Sequence, residues 1–306
     1  MNIVPLVDGN DLPCIGLGSF RMETANTKEC VSTCLNASIR HFCISELFGN
    51  GHEVVDSIIE HRLERASVYI TMKIWPKDRN GKEIVYSIRE TLRLSGLEYV
   101  DLLLLHAPID IKNRFEQWEA MEYLKNEGST RSIGVANYSE QQLLELVKNC
   151  QIQPSVLAME VTPFGRNLEL VEFCSDSSIA VLCDNLQGKG VREGNKELLI
   201  ISEELGIPIA QVILKWVIGK GLAVLLSPAE VKQLNLAALE SSYEELNGDY
   251  IHHQGESATG SYTGEVGSIL EEMLRPMSKE YIARLDSLDE NLCTAWRPVE
   301  AAQDDA

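Results

Sequence analysis

The residues of this 306-residue chain whose side chains could do chemistry are Cys43, Lys73, His106, Asn137, Glu160, Asp184 and Ser227, each closing or following a short apolar run. An imidazole such as His106 exchanges its proton near neutral pH, and an ammonium such as Lys73 stabilises developing negative charge. Cys43 adds a thiol, which reacts only as its thiolate. Each has a bland counterpart: a lysine snorkelling from the end of a sheet, a histidine satisfied by backbone, a buried and inert cysteine. Two further groupings are weaker. Cys30 and Cys34 lie four apart on an expected helix, which suits packing better than redox or metal chemistry, and His252 and His253 stand in a polar stretch where solvation is the plain reading. No metal site is expected.

For the first group to act together, the fold must gather residues scattered over most of the chain. Apolar runs predict strands at Cys14–Leu17, His41–Ile44, Val68–Ile74, Val100–His106, Ser132–Val135, Val156–Val161, Ala180–Cys183 and Ala223–Leu226. Helical patterns lie between and after them, at 25–38, 51–62, 82–94, 114–127, 139–149, 166–176, 195–205 with 208–219, and 229–241. Ser139 before Glu140, and Glu197 in the first turn after Asn195, mark helix starts. Eight such βα units predict a (β/α)8 TIM barrel rather than an open doubly wound sheet, which has fewer strands and a glycine-rich first turn. On a barrel, chemistry belongs at the C-terminal strand ends, where the residues above stand.

One stretch breaks the rhythm. From Gln233 to Leu274 there is no Lys or Arg, while Glu240, Glu244, Glu245, Asp249, Glu256, Glu265, Glu271 and Glu272 accumulate around a Gly/Ser/Thr-rich middle. It reads as an acidic, mobile surface insertion over 240–275, preceding a final helix at Ser278–Leu288 and interrupting one barrel domain that takes up 1–306. The whole chain carries 46 acidic and 27 basic residues, a formal charge of −19. Such a field repels nucleic acid and anionic bilayers, so neither is an expected partner. No run reaches the roughly 18–20 apolar residues of a membrane span. The eight cysteines are dispersed without the density of a disulfide scaffold, which points to a reducing cytoplasm.

From about Val4 to Asn291 the sequence resembles the aldo-keto reductases. The resemblance is carried by successive stretches in order: Asp11–Gly18, Arg40–His41, Phe48–Asn50, Ile70–Lys73, Tyr99–Pro108, Trp118–Met121, Ser132–Asn137 and Pro208–Trp216. It implies a TIM barrel that reduces carbonyls with NADPH, using a Tyr as general acid, a Lys and an Asp that tune it, and a His that orients substrate. Residue by residue, the Lys corresponds to Lys73 and the His to His106. The Asp position holds Cys43 and the Tyr position holds Phe48, whose ring has no proton to give. Glu46, two residues before Phe48, is expected to point elsewhere.

The positions that the resemblance assigns to the cofactor are also altered. Asn137 is retained, but its partner Ser is Ala136, the amide-clamping Gln is Ala158, and the aromatic that stacks on the nicotinamide is Asp184. The segment gripping the 2′-phosphate reads Leu225-Leu226-Ser227, with Lys232 the only cation up to Asn235. These losses lead to the expectation of a protein that has given up NADPH-dependent reduction, holds no cofactor, and acts as a regulatory or scaffold subunit on a protein partner, with 240–275 as a candidate docking segment. The alternative is an NADP-dependent oxidoreductase with an atypical active site. In the family geometry Cys43 lies near Lys73, so it is either a reactive thiol or an inert one.

Overall fold

Each expected strand is apolar on both faces, so it must be covered on both. In the computed structural model, which describes residues 3–20, 22–184, 186–190, 192–234, 236 and 273–294, the strands close into a barrel ringed by helices. They are β3 (Ile15–Gly18), β4 (His41–Ser45), β5 (Tyr69–Ile74), β6 (Val100–Leu105), β7 (Thr130–Ala136), β8 (Val156–Met159), β9 (Ala180–Cys183) and β10 (Ala223–Leu226). All neighbours are parallel, in the ring order β3 to β10 with β10 closing on β3. On this ring β5 and β9 are four strands apart and face each other across the barrel.

Alternation along the strands divides the core in two. Cys43, Leu102, Leu104, Ala136, Val156, Ala158, Leu182 and Leu225 fill the barrel interior. Phe42, Ile44, Leu103, Leu105, Ile133 and Val135 belong to the larger core shared with the helices. Close strand approach demands glycine at one position, since a Cβ on Gly134 would stand 2.3 Å from the Val156 carbonyl oxygen.

The helices are α1 (Thr24–Asn36), α2 (Gly51–Glu60), α3 (Gly81–Ser95), α4 (Arg114–Asn126), α5 (Glu140–Asn149), α6 (Leu168–Asp176), α7 (Lys196–Leu205), α8 (Ile209–Gly219), α9 (Pro228–Gln233) and α10 (Lys279–Asp286). Reciprocal capping boxes start three of them: Asn80 with Glu83, Ser139 with Gln142, and Ser227 with Glu230. The last helix is tied to α8 through Asp286, which accepts from Trp216 Nε1 at 2.9 Å and pairs with Lys220 at 2.6 Å.

The strand pattern is as expected from the sequence. A short antiparallel hairpin, β1 (Ile3–Pro5) with β2 (Asp11–Pro13), was not expected, because three-residue strands carry too little periodicity to read. Its Leu6 and Leu12 enter the interior cluster, and Asp8 pairs with Lys125 at 2.7 Å. The hairpin thus stoppers the N-terminal end and leaves the C-terminal end for the site. Of the expected insertion at 240–275, all but 273–275 lies outside the described residues.

Candidate active site

Five strand ends bring the chemical side chains to one cavity of about 530 Å³, lined among others by Cys43, Phe48, Lys73, His106, Asn137 and Asp184. Lys73 stands near the end of β5, only 3% exposed, and its Nζ lies 2.6 Å from Oδ2 of Asp184, the residue just past β9. The pair therefore bridges opposite walls of the mouth. Burial is the largest single influence on Lys73 and works against its charge, but the Asp184 carboxylate, with a lesser upward pull from Cys43 once that thiol ionises, outweighs it and holds the ammonium above its usual pKa.

His106 follows β6, its backbone N–H donating to the Ile74 carbonyl at 2.8 Å. Its ring sits between Phe48 and Trp75, edge-on to both, at centroid distances of 5.8 and 5.7 Å. Nδ1 lies 3.1 Å from the Ser45 hydroxyl, which also accepts the Leu47 N–H at 3.3 Å. The hydroxyl has its own hydrogen as well as a second lone pair, so it satisfies Nδ1 in either tautomer; where Ser45 donates, the ring proton sits on Nε2. Burial, assisted by the Lys73 charge, pushes His106 down to about 4 against a weaker upward pull from Asp184, so the imidazole is neutral at pH 7.

Cys43 is 2% exposed on the interior face of β4. Burial raises its thiol to about 11, more than Lys73 lowers it, and Asp184 adds to the rise. Of the two readings of Cys43, the inert one is therefore favoured. Glu46 is turned away as expected: it accepts from the Trp75 N–H and Arg79 through Oε2 and from Ser87 through Oε1. Phe48 packs its ring 5.1 Å from Phe20.

The positions tied to a cofactor divide. Asn137 lines the cavity in a left-handed conformation (φ +60°), its side-chain amide donating to the His106 carbonyl at 3.1 Å. Ala136 and Ala158 are fully buried methyl groups in the barrel interior and offer no amide. Asp184, which stands where the resemblance expects an aromatic face, instead supplies the carboxylate on Lys73. Sequence reasoning counted Asp184 as a loss and overlooked Ser45 as the partner of His106. The signal for Asp184 lay in the strand count, since the third and seventh strands of an eight-stranded ring are opposite each other.

The aldo/keto reductase family model matches residues 14–249, and the chain belongs to that family. Among curated relatives, an uncharacterized oxidoreductase of Saccharomyces cerevisiae is 31% identical, covering 81% of this chain and 92% of that one. A 9,11-endoperoxide prostaglandin H2 reductase of Trypanosoma cruzi is 32% identical over 73% and 80% of the two chains. A glyoxal reductase of Bacillus subtilis is 30% identical over 75% and 83%. The fold matches a Bombyx mori aldo-keto reductase solved in complex with NADP, with a TM-score of 0.78, 22% identity, and coverage of 96% and 94%.

Two expectations are thereby corrected. The relatives are named reductases and oxidoreductases, which overturns the reading of the chain as a pseudoenzyme acting as a scaffold. The family match, with a solved neighbour holding NADP, overturns the expectation of no cofactor. The physical fault was to score family positions one by one. A buried lysine needs a carboxylate but does not dictate which strand provides it, and Asp184 does so from outside the position where the loss was counted.

Proposed function

We propose that this chain is an NADP(H)-dependent oxidoreductase that interconverts a carbonyl and an alcohol at an active site whose position 48 holds a phenyl ring in place of a phenol. The observation that carries the reading is the meeting of a charged, buried Lys73 and a neutral His106 at one cavity. The cavity lies within the roughly 300–1,000 Å³ range usual for small-molecule sites.

One donor suited to the nicotinamide end of the cofactor is kept. Asn137 would hold the carboxamide, and Gln187, whose amide donates to Gln233 at 2.6 Å, extends a polar wall toward Ser227. Of the three carboxylates that line the cavity among the described residues, Asp184, Glu193 and Glu230, two are muted. Asp184 is neutralised by Lys73, and Glu230, raised by burial, accepts the Ser227 N–H at 2.7 Å. When bound, the reduced cofactor supplies the hydride.

The chain's own residues do the rest. His106 donates Nε2–H to the substrate carbonyl oxygen, fixing its orientation and drawing charge onto it. Lys73 Nζ is the acid: it gives its proton to the oxygen as negative charge develops there, and is recharged from solvent through the cavity mouth. Phe48 contributes no proton; with Phe20 and Trp75 it keeps the reacting centre dry, which strengthens both polar contacts.

One relative's name points to a small, reactive carbonyl compound, which makes glyoxal the first to try. Purified protein titrated with NADPH should show saturable quenching of tryptophan fluorescence, and aldehydes or glyoxal should then oxidise the cofactor. Absence of both, where an active relative shows both, ends the proposal.

A further inference from the structure

We infer that Asp184 is the positioning residue that holds Lys73 charged and centred over the barrel mouth. The inference rests on the role proposed for Lys73 and adds the group that makes this role possible.

Burial works against an ammonium, lowering a lone buried lysine by up to roughly 3–5 pKa units. Lys73 is 3% exposed, so its proton depends on what faces it. From β4 it meets the Cys43 thiol, which burial keeps protonated, and the Ser45 hydroxyl, which is engaged with His106. From the end of β6 it meets His106, which is neutral. Only β9 presents a carboxylate to it, that of Asp184 at 2.6 Å. Lys73 is also the sole cation among the described residues that line the cavity; Glu193 and Glu230 line it too, but the ion pair is with Asp184.

The backbone of Asp184 is tied to the adjacent strand β8. Its backbone N–H donates to the Met159 carbonyl at 3.1 Å, and the preceding Cys183 donates its thiol to the Val161 carbonyl at 3.2 Å. The carboxylate therefore belongs to the barrel frame. Because β5 and β9 are opposite on the ring, the lysine must extend across the opening to reach it. A carboxylate on the adjacent strand β4 would draw the same ammonium to the wall. Position 43 is the site for such a carboxylate, since Cys43 points into the interior and lies close enough to Lys73 for each to perturb the other's proton affinity.

The test follows the Lys73 proton directly. In protein labelled at lysine side chains, the Lys73 NMR resonance is assigned by its loss in Lys73→Met and titrated in four backgrounds. Wild type should titrate above the ordinary lysine range. Asp184→Asn should lower the titration by about 1–3 units, the usual effect of an opposite charge at this range. The alkaline limb of the pH profile for reduction should move down by the same amount. Asp184→Glu should leave both near wild type. Cys43→Asp combined with Asp184→Asn should restore most of the Lys73 shift, and it keeps the charge balance where Asp184→Asn alone fails to fold.

An unmoved Lys73 titration in Asp184→Asn overturns the inference. So does a lowered titration that the added carboxylate at 43 fails to raise, because then packing at 184 and not its charge is responsible. If the titration behaves as expected while no variant or wild type reduces any carbonyl, the positioning stands and the proposed reductase activity is what fails.

Discussion

Replacing Lys73 with Met tests the proton-donor role most sharply. Methionine matches the apolar length of the lysine stem but removes the ammonium, so packing in the mouth is disturbed little. Loss of a positioned general acid costs about 10²–10⁴ in rate, or about 2.7–5.4 kcal/mol of barrier. Stability should also fall, because Asp184 loses its only ion pair among the described residues. Breaking a fully buried pair costs about 3–5 kcal/mol, and the Asp184 side chain is 16% exposed, so the loss should lie below that range. Adding Asp184→Asn to Lys73→Met removes the stranded charge and should return most of the stability while leaving the rate low. The assay is single-turnover reduction at saturating NADPH, with urea unfolding of the same samples. A Lys73→Met enzyme within tenfold of wild type refutes the reasoning. So does a double variant that regains rate together with stability.

Phe48→Tyr places a hydroxyl on a ring that packs against His106, and should raise the reduction rate at neutral pH by tenfold or more; an unchanged rate means the aromatic position does not face the reacting oxygen. Burial depresses His106 to about 4 and His41 to about 3, so both are neutral when folded and take up protons on unfolding below about pH 6.5. Their contribution to stability is full above that pH and declines as pH falls toward 4, by about 1.4 kcal/mol per pH unit for each; urea unfolding between pH 7 and 4 should show a smaller slope for His41→Gln. Alkylation at pH 7 followed by peptide mapping should find Cys43 slower than Cys30, whose thiol is lowered by a hydrogen bond from Cys34, and faster labelling at Cys43 would mean its thiol is not held protonated.

The barrel was legible because its signals are local. Eight apolar runs, the helical patterns between them and caps such as Ser139–Gln142 each lie within a few residues, and strand order in a barrel follows chain order. Phe48 was legible for the same reason: a phenyl ring lacks a proton in any fold. The β1–β2 hairpin was not, since its short strands are stabilised by what they cover at the barrel floor. Nor was the Ser45–His106 contact, which joins residues 61 apart.

Residue types, read from sequence alone, decided that position 48 offers no phenol, that Lys73 and His106 are kept, and that the chain resembles the aldo-keto reductases. Only the closed barrel decided that Asp184, 111 residues from Lys73, is its partner. The reason is geometric. Electrostatic energy depends on distance through space, and ring closure brings opposite strands within the reach of one lysine side chain, a relation that spacing along the chain does not record.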